Sequence, residues 1–238
     1  MVNKLLKIWV SGLILFSLSV HGPRSTVHGQ SKIILPKRTI ADFERSPPGE
    51  FPKYFKSWPF QRGKAKAVYQ VAEENGNRYL AARDNQNLST QIFKEFHWKI
   101  ESFPYLRWRW RARLLPAGAA ENRGETNDSA CGVYVVFGKM TGTALKYAWS
   151  TTLPEGMTFE KKPDKMVMKM LDSGKKNLGE WRTHCVHVPS EYKTLLGREM
   201  ERGPTGFGIL TDGNAVQKPA ACDYDDFEIL AVPCDRLE

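Results

Sequence analysis

The sequence lacks the short motifs that identify several common enzyme classes. It has no G-x-S-x-G elbow, no H-E-x-x-H pair and no P-loop, which would indicate a nucleophilic serine, a catalytic zinc ion or a nucleotide phosphate. The absence of a C-x-x-C pair argues against a zinc ribbon and a thioredoxin-like redox site. The sequence therefore identifies no reaction, and a non-catalytic function is favoured.

Long hydrophobic runs are also missing, except for one near the N-terminus. Lys4 and Lys7 precede an apolar run over residues 8–20, which is shorter than a membrane span and typical of a secretory signal. A candidate cleavage site lies before Gln30. We therefore expect an exported protein, periplasmic or secreted, with no stable membrane span once the signal peptide, residues 1–29, is removed. An uncleaved anchor is the alternative.

The charge of the chain is moderately basic. Removal of residues 1–29 takes away Lys4, Lys7 and Arg24, so the net charge falls from +9 to +6 over the remaining 209 residues. This charge suits an anionic partner such as lipopolysaccharide or an acidic polysaccharide. It is too small to indicate a nucleic acid, and export argues against one.

The hydrophobic pattern predicts strands much more often than helices. Asn75-Gly76 predicts a tight hairpin turn between strands at 66–71 and 78–82. Later segments that alternate, or that are wholly apolar, are further strand candidates: 106–115, 133–137, 144–149, 166–171, 181–188, 206–211 and 223–230. The best helix candidate is Pro189 to Leu196, followed by Gly197.

This pattern predicts an all-β protein, an antiparallel β-sandwich or jelly roll with one short helix. We divide the chain into a signal peptide (1–29), a polar N-terminal segment (30–38), a β-sandwich domain (39–232) and a C-terminal tail (233–238).

Four arginines alternate with apolar residues along the strand predicted at 106–115. In a strand they share one face, with Trp108 and Trp110 on the other, core-facing side. We call the four the Arg ladder: Arg107, Arg109, Arg111 and Arg113. One interpretation is a solvated face paired with carboxylates such as Glu73, Glu95 or Glu101. The other is the wall of an anion-binding groove, with Arg109 and Arg111 contacting carboxylate or phosphate.

Polar loops and aromatic residues supply the other candidates for ligand binding. Asp128 precedes one apolar strand, and Asp212 and Asn214 follow another, so all three are expected at strand ends, where binding residues concentrate. Tyr147 and Trp149 share a strand face and would stack on a sugar ring. Ordinary turn chemistry and core packing are the alternatives.

Acidic residues near both ends of the predicted domain suggest a structural calcium ion. If the first and last strands are neighbours, Asp42 and Glu44 would approach Asp225 and Asp226. Calcium binds six to eight oxygen ligands, so these carboxylates with backbone carbonyls would suit it. The alternative is a polar strand edge, and no other cofactor is expected.

The four cysteines allow two disulfides in three connectivities. Cys222 and Cys234 flank the last predicted strand and would close a loop at the tail, while free buried thiols are the alternative. Cys185 and His187 share a strand face, but no third group that would orient a catalytic pair can be named, so a structural role is favoured.

Three segments together resemble the bacterial domain of unknown function 3047. They are the Trp-Arg-Trp strand at 108–110, the run Asn-Asp-Ser-Ala-Cys-Gly-Val-Tyr-Val-Val-Phe at 127–137, and Tyr-Ala-Trp at 147–149. Thr211-Asp212-Gly213-Asn214 agrees with the family order. The resemblance implies export and a galactose-binding-like sandwich, and it implies no activity. The chain departs from the family pattern at Asn127, where Asp is usual, at Gly132, where Arg is usual, and over residues 213–216.

Three classes of function are compatible with these features. The favoured one is a binding module for an envelope glycan or another anionic ligand. The second is a polysaccharide hydrolase or lyase that uses paired carboxylates, with Asp128 and Asp212 as the candidates. The third is a structural or assembly protein whose Arg ladder meets an acidic partner.

Overall fold

The computed structural model describes residues 37–138 and 142–236. The predicted signal peptide lies outside these residues, and the domain boundaries stay predictions. The described residues form two sheets that pack face to face, which confirms the antiparallel β-sandwich. No helix among them is long and apolar enough to cross a membrane.

Sheet A has the strand order β11-β6-β13-β4-β3, with β1 also paired to β13. Its strands are β1 (Lys37–Ala41), β3 (Tyr69–Glu74), β4 (Asn77–Asp84), β6 (Tyr105–Leu114), β11 (Arg182–His187) and β13 (Ala220–Leu230). The first half of β13 pairs with β4 and its second half with β1, while β6 lies along its other side.

Sheet B has the strand order β2-β5-β12-β7-β8-β10-β9. Its strands are β2 (Lys56–Ser57), β5 (Ile92–Glu95), β7 (Cys131–Phe137), β8 (Thr143–Ser150), β9 (Thr158–Lys162), β10 (Met166–Ser173) and β12 (Pro204–Ile209). The pair β8–β10 is parallel, in contrast to the other pairs of the described strands.

The core between the sheets is rich in aromatic residues. Trp108 and Trp110 of β6 are fully buried and contact each other edge to face, with ring centroids 5.6 Å apart. Phe207 of sheet B stacks on Phe227 of sheet A at 4.8 Å. As the alternation predicts, the arginines of β6 lie on the opposite, outer face of sheet A.

Several local predictions are confirmed, and one is wrong. Asn75 and Gly76 both have positive φ, 54° and 80°, as a type I′ turn requires. Helix α2 (Val188–Leu196) ends at Gly197 with a φ of 67°. A second helix, α1 (Arg62–Val68), replaces the start of the strand predicted at 66–71, because Lys and Ala favour helix there and bury only one side.

Two disulfides link parts of the chain that are distant in sequence. Cys131 of β7 bonds to Cys222 of β13 and ties the two sheets together through the core. Cys185 of β11 bonds to Cys234. The predicted Cys222–Cys234 pairing is wrong, because these side chains lie on opposite faces of sheet A: Cys222 faces the core, while Cys185 and its partner lie outside.

Candidate functional site

The Arg ladder is paired with carboxylates of the neighbouring strand β13. Arg109 Nη2 lies 2.6 Å from Asp225 Oδ2, and Arg111 Nε donates to Asp223 Oδ2 at 2.9 Å. Opposite residues of an antiparallel ladder lie close enough for such pairs. The outer face of sheet A therefore carries rungs of opposite charge.

These carboxylates are not the ones predicted from the sequence. Glu73 pairs with Arg78 instead, and Glu95 pairs with Lys56. The prediction drew on acids nearby in sequence, whereas the register of sheet A aligns β6 with the last strand of the chain.

Trp181 covers the middle of the Arg ladder. The guanidinium carbons of Arg109 and Arg111 both lie 4.6 Å from the centroid of its ring, within cation–π distance. Tyr79 packs against Trp181 edge to face. Both guanidinium groups thus have carboxylate partners and an aromatic neighbour within the protein, and a ligand site at Arg109 and Arg111 stays a prediction.

Tyr147 and Trp149 lie in the core and not at a surface. Both side chains are fully buried, and Trp149 Nε1 donates to the carbonyl of Gly174. Their face of β8 points toward sheet A, where Tyr147 packs on Trp108. The predicted stacking on a sugar is corrected, since neither ring is accessible.

Asp128 and Asp212 converge as the sequence suggested, but both hold loops in place. Asp128 accepts hydrogen bonds from the two backbone amides of residues 215–216, and Asp212 accepts one from the amide of Ser129 at 3.1 Å. Both residues are buried. Their assignment as ligand or catalytic carboxylates is corrected, because these amides occupy their oxygens. Asn214 is half-buried in the same loop, and its role stays a prediction.

A buried lysine stands beside these carboxylates and forms what we call the Lys146 cluster: Lys146, Tyr134, Ser129, Glu121 and Asp212. Lys146 Nζ donates to Ser129 Oγ at 3.3 Å and lies 5.3 Å from the centroid of the Tyr134 ring. Burial raises the pKa of Asp212 to about 6, although Lys146 opposes that change. Burial likewise raises the pKa of Glu121, whose Oε1 is buried without a hydrogen-bond partner among the described residues.

The Lys146 cluster continues into a row of side chains across the outer face of sheet B. In the strand registers Phe93 lies opposite Gly208, Gly208 opposite Tyr134, and Tyr134 opposite Lys146. We call these four residues the sheet B strip. Phe93 and Tyr134 are half-buried. The strip thus contains two half-buried aromatic residues separated by a glycine, with the buried ammonium group of Lys146 at one end.

Two further side chains, Lys146 and Gln91, lie close to glycines on the outer face of sheet B. A Cβ atom at Gly132 would lie 3.1 Å from Lys146 Cε and 2.9 Å from a backbone carbonyl, so Lys146 occupies the space above that glycine. The Gln91 amide nitrogen lies 2.8 Å from where a Cβ of Gly208 would be. The positive charge nearest to Gly132 in this contact belongs to Lys146 of the next strand.

The first and last strands do pair, as predicted, since Thr39 lies opposite Glu228. The four carboxylates proposed for calcium have other partners. Asp42 accepts from the amide of Glu44, Glu44 accepts from the amide of Arg78, and Asp225 and Asp226 contact Arg109. Across residues 37–138 and 142–236, no group of three or more His, Cys, Asp or Glu side chains is arranged to hold a metal ion. Calcium at Asp42, Glu44, Asp225 and Asp226 stays a prediction without a preformed ligand set.

Cys185 and His187 do not form a catalytic pair, because Cys185 is in a disulfide. On the opposite face of the strand, His184 Nε2 lies 2.6 Å from Asp172 Oδ2. Trp110 Nε1 donates to the same oxygen at 2.7 Å. Since Asp172 belongs to sheet B and its partners to sheet A, this cluster closes one edge of the sandwich.

Sequence reasoning missed the residues of the sheet B strip. One signal was available, because Lys146 interrupts an otherwise apolar strand between Leu145 and Tyr147. A cation in that position either faces solvent or belongs to a buried polar cluster. Phe93 gave no comparable signal, since β5 was not predicted as a strand.

The solved structures most similar to the chain include carbohydrate-binding modules. A family 29 module from Piromyces equi has a TM-score of 0.38 and 9% identity, covering 85% of this chain and 95% of its own. The family 11 module of the cellulase Lic26A-Cel5E of Clostridium thermocellum has a TM-score of 0.40 and 6% identity, covering 83% and 96%.

No match was found among curated proteins. A family model described as "Protein of unknown function (DUF3047)" matches residues 53–228, which include most strands of both sheets, the Arg ladder and the sheet B strip. This match agrees with the resemblance carried by the Trp-Arg-Trp strand and by residues 127–137. The chain therefore belongs to the DUF3047 family.

Proposed function

We propose that the protein is an exported, non-catalytic module that binds a glycan of the cell envelope on the outer face of sheet B. The observation that carries this proposal is the sheet B strip, in which two partly exposed aromatic residues flank a glycine. Adjacent strands lie about 4.8 Å apart, so Phe93 and Tyr134, two strands apart, are separated by about 9.6 Å. That spacing is of the order of a disaccharide unit.

The chemistry of the sheet B strip suits a polyhydroxylated ligand. The apolar faces of sugar rings pack on aromatic side chains, while sugar hydroxyls need hydrogen-bond partners at the rim. Gln91 supplies such a partner beside Gly208. Because Glu121 and Asp212 neutralise Lys146, a neutral glycan fits better than a strongly acidic one.

Two observations support export. All four cysteines are paired in disulfides, which persist in oxidising compartments outside the cytosol. Residues 8–20 have the length and composition of a signal sequence. Mass spectrometry of envelope fractions tests this part: we expect a mature start near Gln30, and an intact N-terminus recovered from the cytosol would contradict export.

A second function, as a structural or assembly protein, is favoured by one specific observation. The charges on the outer face of sheet A are paired with one another, with Trp181 over the Arg ladder. A hydrolase or lyase is less well supported, because Asp128 and Asp212 are committed to backbone amides.

Affinity electrophoresis in gels that contain soluble polysaccharides distinguishes these functions. The probes are a neutral β-glucan, a β-galactan, alginate and lipopolysaccharide. We expect Phe93→Ala and Tyr134→Ala to reduce retardation on the polymer that binds by about tenfold, the effect of losing one buried aromatic contact. The matched control is Trp181→Ala, which removes a partly exposed aromatic residue from sheet A. No retardation by any probe, or equal effects of all three variants, would contradict the proposal, and release of oligosaccharides would indicate an enzyme.

A further inference from the structure

An exposed aromatic residue and three cations lie together where the chain enters α1. Phe60 is 100% exposed, at the centre of a short 3₁₀ turn, Pro59–Gln61. Arg62, Lys64 and Lys66 follow in α1 and are also exposed. We call Phe60 and these three cations the Phe60 patch.

The turn that carries Phe60 is anchored on both sides. The preceding residue, Trp58, packs on Phe93 with ring centroids 5.3 Å apart. The following residue, Gln61, accepts a hydrogen bond from Thr90 Oγ1 through its side-chain oxygen. Its backbone N–H donates to the carbonyl of Trp58. Phe60 is therefore held outward by ordered neighbours on either side.

The cations of the Phe60 patch have no acidic partners among residues 37–138 and 142–236. Ion pairs occupy many basic residues of the described chain, but none involves Arg62, Lys64 or Lys66. Ala65 and Val68 face the core, which directs the cations of α1 outward. The patch thus combines an exposed apolar side chain with positive charges that no carboxylate of the described residues neutralises.

We propose that the Phe60 patch binds the surface of an anionic membrane. An aromatic ring favours the boundary between headgroups and acyl chains, and nearby Lys and Arg side chains are attracted to anionic lipid headgroups. The net positive charge of the chain acts in the same direction. A glycan would use the ring but would not require three unpaired cations, so a lipid surface fits the combination better.

This inference does not rest on glycan binding by the sheet B strip, although Trp58 of the turn that carries Phe60 packs on Phe93 of the strip. Phe60 and the cations of α1 are not members of the strip, so either site can fail without the other. The test uses the chain as it is recovered from the envelope of an expressing host, so that every variant has the same N-terminus.

Cosedimentation with vesicles tests the proposal. The vesicles contain either phosphatidylcholine alone or phosphatidylcholine with phosphatidylglycerol, at low and high salt. We expect binding to the anionic vesicles that weakens with salt. Phe60→Ser should weaken it about tenfold and Arg62→Glu with Lys66→Glu more than tenfold, because each basic residue near an anionic surface contributes about fivefold. All of these side chains are exposed, so the variants should keep the wild-type melting temperature.

Matched controls separate this patch from general charge and apolarity. Lys175→Glu with Lys176→Glu reverses two exposed charges in another turn, and Leu178→Ser removes another exposed apolar residue. These variants should bind the vesicles within about twofold of the wild type. Equal losses in the control and patch variants would overturn the proposal. So would equal binding to both kinds of vesicle, or a Phe60→Ser effect seen only with polysaccharide.

Discussion

Arg111 and Asp223 form a buried ion pair across the β6–β13 ladder, with Nε 2.9 Å from Oδ2. The side chain of Arg111 is 8% exposed and that of Asp223 is completely buried. Arg83 and Arg113 also contact Asp223, at 2.6 and 3.7 Å. A single buried carboxylate therefore organises three arginines of sheet A.

We expect Arg111→Ala to lower the free energy of unfolding by about 3 kcal/mol, because it removes a buried partner of a buried charge. The matched control is Arg113→Ala. The side chain of Arg113 contacts the same oxygen of Asp223 but is 42% exposed, so its loss should lower the free energy of unfolding by less than about 1 kcal/mol. Urea unfolding of both variants measures the difference. Equal costs would show that burial does not govern this cluster.

Replacement of Cys131 and Cys222 by Ala should lower the free energy of unfolding by roughly 2–5 kcal/mol, because their disulfide closes a long loop. The sequence separation of this pair is 91, against 49 for Cys185 and Cys234. Since Cys131 and Cys222 are also fully buried, their removal should cost more than removal of the second pair. Thermal melting of the two double variants tests this order, and a reversed order would contradict it.

Asp212 should make the protein less stable as the pH rises. Its pKa is raised to about 6 in the folded state, and an unfolded Asp has a pKa of about 3.9. The folded state therefore binds a proton more tightly, so this stabilisation is complete below about pH 4 and is lost as the pH rises through about 6. In the wild type, the free energy of unfolding should fall by about 2–3 kcal/mol over this pH range because of Asp212. In Asp212→Asn this fall should be absent.

Urea unfolding between pH 4 and 7 measures the contribution of Asp212. The control is Asp235→Asn, which removes an exposed carboxylate far along the chain. The same pH slope in Asp212→Asn and the wild type would contradict the prediction.

Asp172 should have the opposite dependence on pH. Burial alone would raise its pKa, but the hydrogen bond and charge of His184, with the bonds from Trp110 and Arg182, lower it overall. This stabilisation is present above the pKa of an unfolded Asp and is lost as the pH falls. We expect Asp172→Asn to cost about 2–3 kcal/mol at neutral pH, because it weakens several bonds to a buried charge.

The cost of Asp172→Asn should shrink as the solution is acidified, because the stabilisation that comes from a lowered pKa is lost as the pH falls. Guanidinium unfolding at pH 7 and pH 3 measures this change. A cost that is constant between these two pH values would mean that the charge of Asp172 contributes nothing.

The period-two pattern of the sequence predicts which face of a strand a side chain occupies, but not what lies opposite. It placed Trp108 and Arg109 on the correct faces of β6, and it indicated the hairpin at Asn75-Gly76. It did not indicate that Asp223 and Asp225 would neutralise the Arg ladder, because that depends on the register between strands more than 100 residues apart. The disulfide pairing depends on the same register.

The candidate site was misplaced for a related reason. Tyr147 and Trp149 were correctly assigned to one face of β8, but the sequence does not say which face meets the other sheet. The structure turns them toward the core and leaves Lys146 on the outer side, beside Tyr134. The prediction of sugar stacking therefore fell on two buried side chains, because the alternation leaves open which face of the strand is the outer one.

The position of β13 affects when this chain can fold. The last strand to be synthesised pairs with β1 and β4 on one side and with β6 on the other, and its Cys222 is tied to β7. Until that strand has been synthesised, β6 and β11 have no sheet connection to β3 and β4. Sheet A is therefore completed only after translation of its final strand, and the strands made before it cannot form their native sheet during synthesis.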